Sequence, residues 1–546
     1  MLRRTLRTTV LATVAALGLV GLVPAAAQAA APAPASVVIV PGDRQLAVDW
    51  TAVKGAKKYT VQVSRSSSFP SGKTRTLSAS SSQLTVKSLT LRVRYWVRVK
   101  AATGRWSAKH DATPNTNSPR YKDSVKVTAA GQNKVKVSWP RYVAGTSLRV
   151  AASWSNDNVY TSGKTTISSV NTNKAWVTSV PITRTSVVLT VPSAWRSLAG
   201  SRGTEPVFVH LYARNGSRTA HSVTAFGYPS PPPLTGSSAD NVTFATWNIA
   251  SSTATADIPG RSWDQRKRAV KNGILHAGAS VLAVQEAASS VSSGQQYQEL
   301  TRMLGSTYRS AVATSALPVT SAEIDAMKRK GTGGISRSDH ILYKPADVTR
   351  LAAGLQSTFA VSGGVRWDSS KYDRHFTWAL LQSRATKQKF YVVSTHLEKG
   401  NSATLQGMRK AAMKGIREFL ATKSRVAGLG DVPLVVMGDL NSDSRWPNGP
   451  QEDMVQAGYA SATQAVSTVQ RANTTSNSHN ASVDNGYPTR PYRYAYTGTR
   501  IDYIFVKNGG GVGRFVNQMV LTSSGAFDER YRGSDHNLQW ARIRIS

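Results

Sequence analysis

The sequence predicts a multidomain chain in which two all-β sandwiches are followed by a larger α/β domain. Three observations carry that prediction. Residues 36–114 and 120–229 place apolar residues at every second position between Ser- and Gly-rich turns, as half-buried strands do. Residues 241–546 instead alternate short, continuous apolar runs with segments of helical spacing, as buried strands and their covering helices do. Between these regions, residues 230–240 are rich in Pro and Ser, and proline runs favour a stiff, extended linker. A chain of 546 residues has room for about three or four domains.

In the first sandwich Leu46, Val48 and Trp50 alternate, as do Tyr59, Val61 and Val63, then Leu84 and Val86, then Tyr95, Val97 and Val99. The Trp50 strand, and Leu89 six residues before Tyr95, resemble a fibronectin type III domain with its tyrosine corner. In residues 120–229, Val135, Val137 and Trp139 match the Trp50 strand, and Val207, Val209 and Leu211 match the Tyr95 strand. Val207 stands where a corner tyrosine would be, so this is read as a second, divergent fibronectin type III-like domain.

Charge narrows the partners. Lys and Arg number 68 against 29 Asp and Glu, for a formal net charge of +39. Residues 1–240 hold 31 basic and 7 acidic side chains, a net of +24, and residues 241–546 hold 37 and 22, a net of +15. A polyanionic partner is expected. The sandwiches are the more basic part, which suits adhesion to nucleic acid or to an anionic cell-wall polymer; inert spacers are the alternative. The absence of cysteine excludes disulfides, Cys-ligated zinc and a lipoprotein anchor.

Residues 1–29 read as a signal peptide. Arg3, Arg4 and Arg7 form a basic start, Val10 to Val23 an apolar stretch too short to span a bilayer well, and Ala27-Gln28-Ala29 a cleavage site. The product is expected to be secreted and extracellular, released or wall-associated, and monomeric. No second long apolar run is present, so no transmembrane segment is expected. General secretion is the default, and Arg3-Arg4 leaves the twin-arginine route open.

The α/β half carries the chemistry. A helix is expected over 263–276, behind Ser262 as N-cap, and another over 405–422, where Leu405, Met408, Ala412 and Ile416 recur at helical spacing. Pro433 to Met437 reads as a buried strand, followed by Gly438, Asp439 and Asn441. Positions i and i+2 of an extended segment share a side, so a carboxylate and an amide should emerge together. Other apolar runs also end in polar groups: Asn248 in FATWNIA (244–250), Glu286 in VLAVQE (281–286) and His396 in YVVSTHL (391–397). Asp502 opens IDYIFV (501–506), and Asp535 and His536 precede the alternating strand of GSDHNLQWARIRI (533–545). Asp339 and His340, in SDHILY, are read as structural. Glu286 and Asn248 offer the hard oxygens that Mg²⁺ or Ca²⁺ prefers, and the scarcity of clustered histidine argues against a dedicated zinc site.

In this order the motifs resemble the endonuclease/exonuclease/phosphatase superfamily over residues 241–546. The resemblance implies a four-layer α/β sandwich of two packed mixed sheets, a site at the strand ends, and metal-assisted hydrolysis of a phosphate ester. It makes Asn248, Glu286 and Asp535 the metal ligands, for Mg²⁺ with Mn²⁺ and Ca²⁺ as alternatives. Asp439 would orient or deprotonate the attacking water and Asn441 donate to the phosphate. His536 would act at the phosphoryl oxygens or as acid/base with Asp502 holding its ring. His396 would contact phosphate or leaving group, and Arg374, ahead of the FTWALL strand, would bind phosphate.

The charge favours a nuclease acting on DNA, with RNA open. Arg490, Tyr492 and Arg493 lie in a stretch that interleaves aromatics with arginines and are the substrate-binding candidates; a loop pinned by its own aromatics is the alternative. The competing enzyme readings are a sphingomyelinase-like phospholipid phosphodiesterase and a sugar-phosphate phosphatase. A membrane enzyme needs exposed aromatics, for which Trp446 and Phe527 are the candidates. A purely adhesive protein is disfavoured, because every motif keeps its polar residue.

Overall fold

Two periodicities in the sequence become two architectures. The computed structural model describes residues 30–121, 124–131, 133–153, 159, 170, 175–191, 207–230, 233–252, 261–287, 295–317, 319–329, 335–363, 373–400, 402–443, 449–466, 470–480, 488–491 and 500–546. Residues 1–29, where a signal peptide is expected, and Trp446, Tyr492 and Arg493 lie outside them. The chain divides into two compact units, Met1–Asn115 and Thr116–Ser546.

In the first unit, strands Val38–Gly42, Gln45–Asp49 and Gln83–Val86 make one sheet, and Thr74–Ala79, Tyr59–Ser64, Tyr95–Ala101 and His110–Ala112 make another. The alternating residues explain their pairing. Leu46, Val48 and Trp50 meet Tyr59, Val61, Val97 and Val99 in a single buried cluster, which takes their apolar surface out of water. Trp50 meets Tyr59 edge-on with ring centroids 5.2 Å apart. The Tyr95 hydroxyl accepts from the backbone N of Thr90 at 3.1 Å.

The second unit begins with the same strand pattern. Lys126–Gly131, Lys134–Ser138 and Ser186–Thr190 form one sheet; Trp176–Val180, Ser147–Ser153, Val207–Asn215 and Arg218–His221 form another, with Ala225–Gly227 also pairing Val207–Asn215. Val207 is buried at the position that holds tyrosine in the first unit. Thr235 N donates to Gly510 O at 2.8 Å, and the Arg471 guanidinium lies 3.6 Å over the Tyr228 ring. These contacts tie residues 228–235 to the α/β domain.

That domain contains strands β1 (Asn241–Asn248), β2 (Val281–Gln285), β3 (His340–Tyr343), β4 (Val348–Ser357), β5 (Asp373–Ser383), β6 (Lys389–His396), β7 (Leu434–Asp439), β8 (Asp502–Lys507), β9 (Gly511–Gln518) and β10 (Leu538–Arg544). Its long helices are α1 (Trp263–Ala277) and α2 (Ala403–Val426). One mixed sheet runs β3-β2-β1-β10-β9, with short strands at both edges. The other runs β5-β6-β7-β8, also between short edge strands, and β4 pairs β5. Phe244, Ala283, Ile341, Phe390, Val435, Met437, Ile504 and Ala541, drawn from both sheets, share one buried cluster. Val270 and Ile274 of α1 pack with Trp247, Leu282 and Val284. Met413, Ile416 and Leu420 of α2 pack with Val393, Val436 and Phe505. Strands with apolar residues on both faces are therefore covered on both, which is why they read as continuous runs.

Helix α1 starts as the sequence predicts, with Ser262 N donating to Gln265 Oε1 at 2.8 Å. Helix α2 runs beyond the expected 405–422 at both ends. Ser402 Oγ accepts from Leu405 N at 3.2 Å and so moves the start back. Lys423 and Arg425 extend the finish, where cations suit the negative end of the helix dipole. Arg374 lies within β5 rather than ahead of it. Phe527, an exposed-aromatic candidate in the sequence, is buried, with the Arg532 guanidinium 4.1 Å from its ring. Among the described residues, no helix is long and apolar enough to cross a membrane.

The register brings the polar strand ends together. β1 runs parallel to β2 with Asn248 opposite Gln285, and β6 runs parallel to β7 with His396 opposite Asp439. β8 is antiparallel to β7 and sets Asp502 against Asp439. Gly438 permits the β6–β7 approach: its φ is 155°, and a Cβ there would lie 1.8 Å from Thr395 O. Gly438→Ala should therefore cost about 3 kcal/mol or more by overpacking and strain and displace Asp439. Thermal unfolding of the variant would reveal this, and an unchanged melting temperature would contradict it.

Candidate active site

Asn248 sits where the two sheets face each other, and its carboxamide spans them. Its Nδ2 donates to Glu286 Oε1 at 2.9 Å and to Asp439 Oδ2 at 3.1 Å. Its Oδ1 accepts from Ala250 N at 3.0 Å, which fixes the orientation and leaves one lone pair. Glu286 Oε2 accepts from Ser251 N at 3.0 Å. Glu286 has φ 57°, a left-handed backbone rare for a glutamate. That turn aims the side chain back across the end of β1 and leaves it 29% exposed, whereas Asp439 is buried.

Asp439 and Asn441 do meet, but not by strand alternation. β7 ends at Asp439 and Asn441 is left-handed, with φ 47°. The link is local: Asn441 N donates to Asp439 Oδ1 at 2.8 Å, the side-chain-to-backbone turn that Asp forms readily. Asn441 Nδ2 then donates to Leu397 O at 2.9 Å and lies 2.9 Å from His396 Nε2.

Two histidines flank Asp439 with opposite electrostatics. Burial, then the nearby Arg374 cation, pushes the His396 pKa down to about 3, so the ring is neutral. Arg374 Nη1 lies 3.2 Å from Nδ1, and Asn441 Nδ2 faces Nε2, so a donor stands at each ring nitrogen; Nε2 also lies 3.5 Å from Asp439 Oδ2. Arg374 Nε also donates to Glu398 Oε2 at 3.1 Å. Burial would push His536 down as well, but the carboxylates of Asp502, Asp535 and Asp439 outweigh it and hold its pKa well above the ordinary value. His536 Nδ1 lies 2.9 Å from Asp502 Oδ2, and Nε2 lies 3.7 Å from Asp439 Oδ2.

Beyond His536, Asp535 accepts from Ser534 Oγ at 3.1 Å and lies 3.3 Å from His479 Nε2. Burial opposes its ionisation, yet His479 and His536 hold its carboxyl well below the usual range. The described residues hold two clusters able to gather around a cation, His479 with Asp535 and His536, and Asp439 with Asp502 and His536. Hard carboxylate oxygens dominate the second, and Glu286 and Asp439 add two more beside Asn248; such donors suit a divalent cation.

A family model described as Endonuclease/Exonuclease/phosphatase family matches residues 245–536. The chain belongs to that family. Its members are phosphoric ester hydrolases, typically dependent on divalent metal. Among solved structures, an endonuclease/exonuclease/phosphatase from Bacteroides vulgatus is 17% identical with a TM-score of 0.40, covering 56% of this chain and 99% of that one. A Bacteroides thetaiotaomicron mannosyl-6-phosphatase is 15% identical with a TM-score of 0.38, covering 55% and 99%. A truncated Caenorhabditis elegans TDP2 is 16% identical with a TM-score of 0.35, covering 56% and 98%. No curated protein matches the chain.

Within this member of the family, Asn248, Glu286, Arg374, His396, Asp439, Asn441, Asp502, Asp535 and His536 form one connected network. Arg490 is exposed and makes no hydrogen bond or ion pair with it among the described residues. Two residues enter that the sequence reading left out. Asp339, read as structural, is buried and accepts from the backbone of His396, while its Oδ1 has no hydrogen-bond partner. Burial, with Glu286 and Asp439 nearby and only Arg374 opposing strongly, pushes its pKa well above the ordinary value. The strand-end rule that named Glu286 would have named Asp339 too, since it directly precedes β3. His479 had no such signal. It arrives because residues 478–480 pair with 535–537, through Asn480 N to Asp535 O and Asn537 N to Ser478 O, each 2.7 Å. His340 is structural as expected, stacked on Tyr297 with centroids 3.7 Å apart.

His536 has a folded pKa above its unfolded value of roughly 6.5. Its pairing with Asp502 therefore stabilises the fold fully below the unfolded pKa, and that contribution is lost as pH rises through the folded one. Asp502→Asn should cost about 3 kcal/mol in mild acid and less in alkali. Denaturant unfolding in chelator at both pH values measures this, and an equal loss at both would refute the assignment.

Proposed function

We propose that this protein is a secreted, divalent-cation-dependent phosphodiesterase that hydrolyses nucleic acid, DNA before RNA. The observation that carries the reaction is Asp439 Oδ2, which faces Asn248 Nδ2, His396 Nε2 and His536 Nε2 together. Glu286 with Asn248 beside it, and Asp535 near His536, would hold Mg²⁺, or Mn²⁺ or Ca²⁺ in its place. Such an ion supplies charge neutralisation at the phosphate as negative charge grows on the leaving oxygen.

The chain's own residues divide the remaining work. Asp439 Oδ2 orients the attacking water and takes its proton. His536, kept cationic by Asp502, donates from Nε2 to a phosphoryl oxygen. His396, kept neutral by burial and Arg374, contacts the phosphate or leaving group beside Asp439, and Asn441 holds its ring at Nε2. A positioned acid or base of this kind contributes roughly 10²–10⁴-fold.

The substrate class rests on charge. A net of +39 favours a polyanion, since phosphate contacts supply most non-specific affinity. The phospholipid reading lacks support from Phe527, which is buried. We read the α/β domain, residues 241–546, as a four-layer sandwich. We read residues 36–114 and 120–229 as fibronectin type III-like modules, with the Thr90–Tyr95 hydrogen bond as the first one's tyrosine corner.

Plasmid DNA, RNA and sphingomyelin, each incubated with Mg²⁺ and with chelator, test the reading. DNA cleavage that chelator abolishes is expected; cleavage of sphingomyelin alone would overturn it. Glu286→Gln should keep the shape of the site and lose turnover by orders of magnitude. Asp439→Asn and His536→Ala should each lose roughly 10²-fold or more, and less together than the sum of their separate free-energy costs. Retained turnover in either single variant would place the active site elsewhere.

A further inference from the structure

The first unit carries a cationic face that the hydrolytic site does not use. Its residues 30–115 include fourteen Lys and Arg but only three acids, Asp43, Asp49 and Asp111. Strand Tyr95–Ala101 alternates buried Tyr95, Val97, Val99 and Ala101 with half-buried Trp96, Arg98 and Lys100. The second set therefore lies in a row on the sheet's outer face, on the order of 7 Å apart. The Arg98 guanidinium lies 4.3 Å from the Phe69 ring and 4.5 Å from the Trp106 ring, and Lys100 lies 5.0 Å from Trp106. Gln62 Oε1 accepts from Arg98 Nε and Nη2 at 2.9 and 2.7 Å. Asp111 is the acid on this sheet, opposite Trp96, and it pairs with Arg94 at 3.3 Å. Neither Arg98 nor Lys100 forms an ion pair among the described residues.

Two features select the occupant. Fixed cations at strand spacing offer successive contacts to a chain of phosphates, and holding their side chains in advance lowers the entropy lost on binding. Trp96, in the same row, offers a ring edge or face beside them, and unpaired bases stack on aromatics. We propose that the Trp96–Arg98–Lys100 face of the first unit binds single-stranded nucleic acid. The proposal stands apart from the hydrolytic reading, because binding can be measured where no hydrolysis occurs.

The test uses the full chain in chelator. A single-stranded oligonucleotide carrying iododeoxyuridine is photocrosslinked and the attached peptide is mapped; affinity is followed by anisotropy against duplex DNA and poly(glycerol phosphate). Crosslinking to the segment containing Trp96 is expected. Trp96→Ala should abolish that crosslink, and Lys100→Glu should reduce it at least about fivefold, whereas the exposed control Lys54→Glu should leave it in place. Crosslinks confined to residues 241–546 would overturn the proposal. So would equal losses in Lys54→Glu and Lys100→Glu, which would mean diffuse charge. Equal competition by poly(glycerol phosphate) would overturn it as a nucleic-acid site and mark the face as a general polyanion binder.

Discussion

The α/β domain depends on one constraint: several carboxylates converge where water is nearly excluded, and each needs a partner. Isolated buried charge is costly enough that an unpaired group would take up a proton instead. Asn248 answers for Glu286 and Asp439 with a single NH₂ group, and His536 answers for Asp502. Asp535 is met by Ser534 and His479. Asp339, whose Oδ1 lacks a hydrogen-bond partner, is the exception, and its raised pKa is the expected consequence. The two sheets are thus joined at their polar ends by charge pairing and through their centres by apolar packing.

The same constraint explains the unusual backbone. Glu286 and Asn441 both leave their strands in left-handed conformation, at φ 57° and 47°. Extended continuations would carry these side chains along the sheet rather than back over its end. Strain of order 1–3 kcal/mol at such positions persists only where surrounding contacts overdetermine it. Here those contacts are Ser251 N on Glu286, and Asp439 Oδ1 and Leu397 O on Asn441.

Opposite fates for two buried histidines show how neighbours decide chemistry. His396 and His536 both lie near Asp439 Oδ2, and burial disfavours the cation in each. An arginine beside His396 reinforces burial; aspartates around His536 overrule it. The result is one neutral ring and one charged ring on either side of a single carboxylate. Divergent environments of this sort are what allow like residues to take unlike roles.

The sequence by itself determined the strands, their alternating buried rows in the N-terminal region and which polar residues stand at the strand ends of the α/β domain. A polar residue at the end of an apolar run is visible without coordinates, which is why Glu286, Asp439 and His536 could be named. Local signals also marked Ser262 as the start of α1. Tertiary structure alone decided how these ends meet: that Asn248 presents its nitrogen to two carboxylates, that Asn441 reaches Asp439 through a turn, and that His479 pairs with Asp535 from a polar segment without periodicity. Likewise only packing revealed Phe527 as buried and left Asp339, visible in the sequence just ahead of β3, without a partner at its Oδ1. The physical reason is range. Periodicity reports which face of an element leaves water, a local property, whereas protonation and hydrogen-bond partners depend on groups brought close from far along the chain, as Trp247 Nε1 and His536 O are across 289 positions.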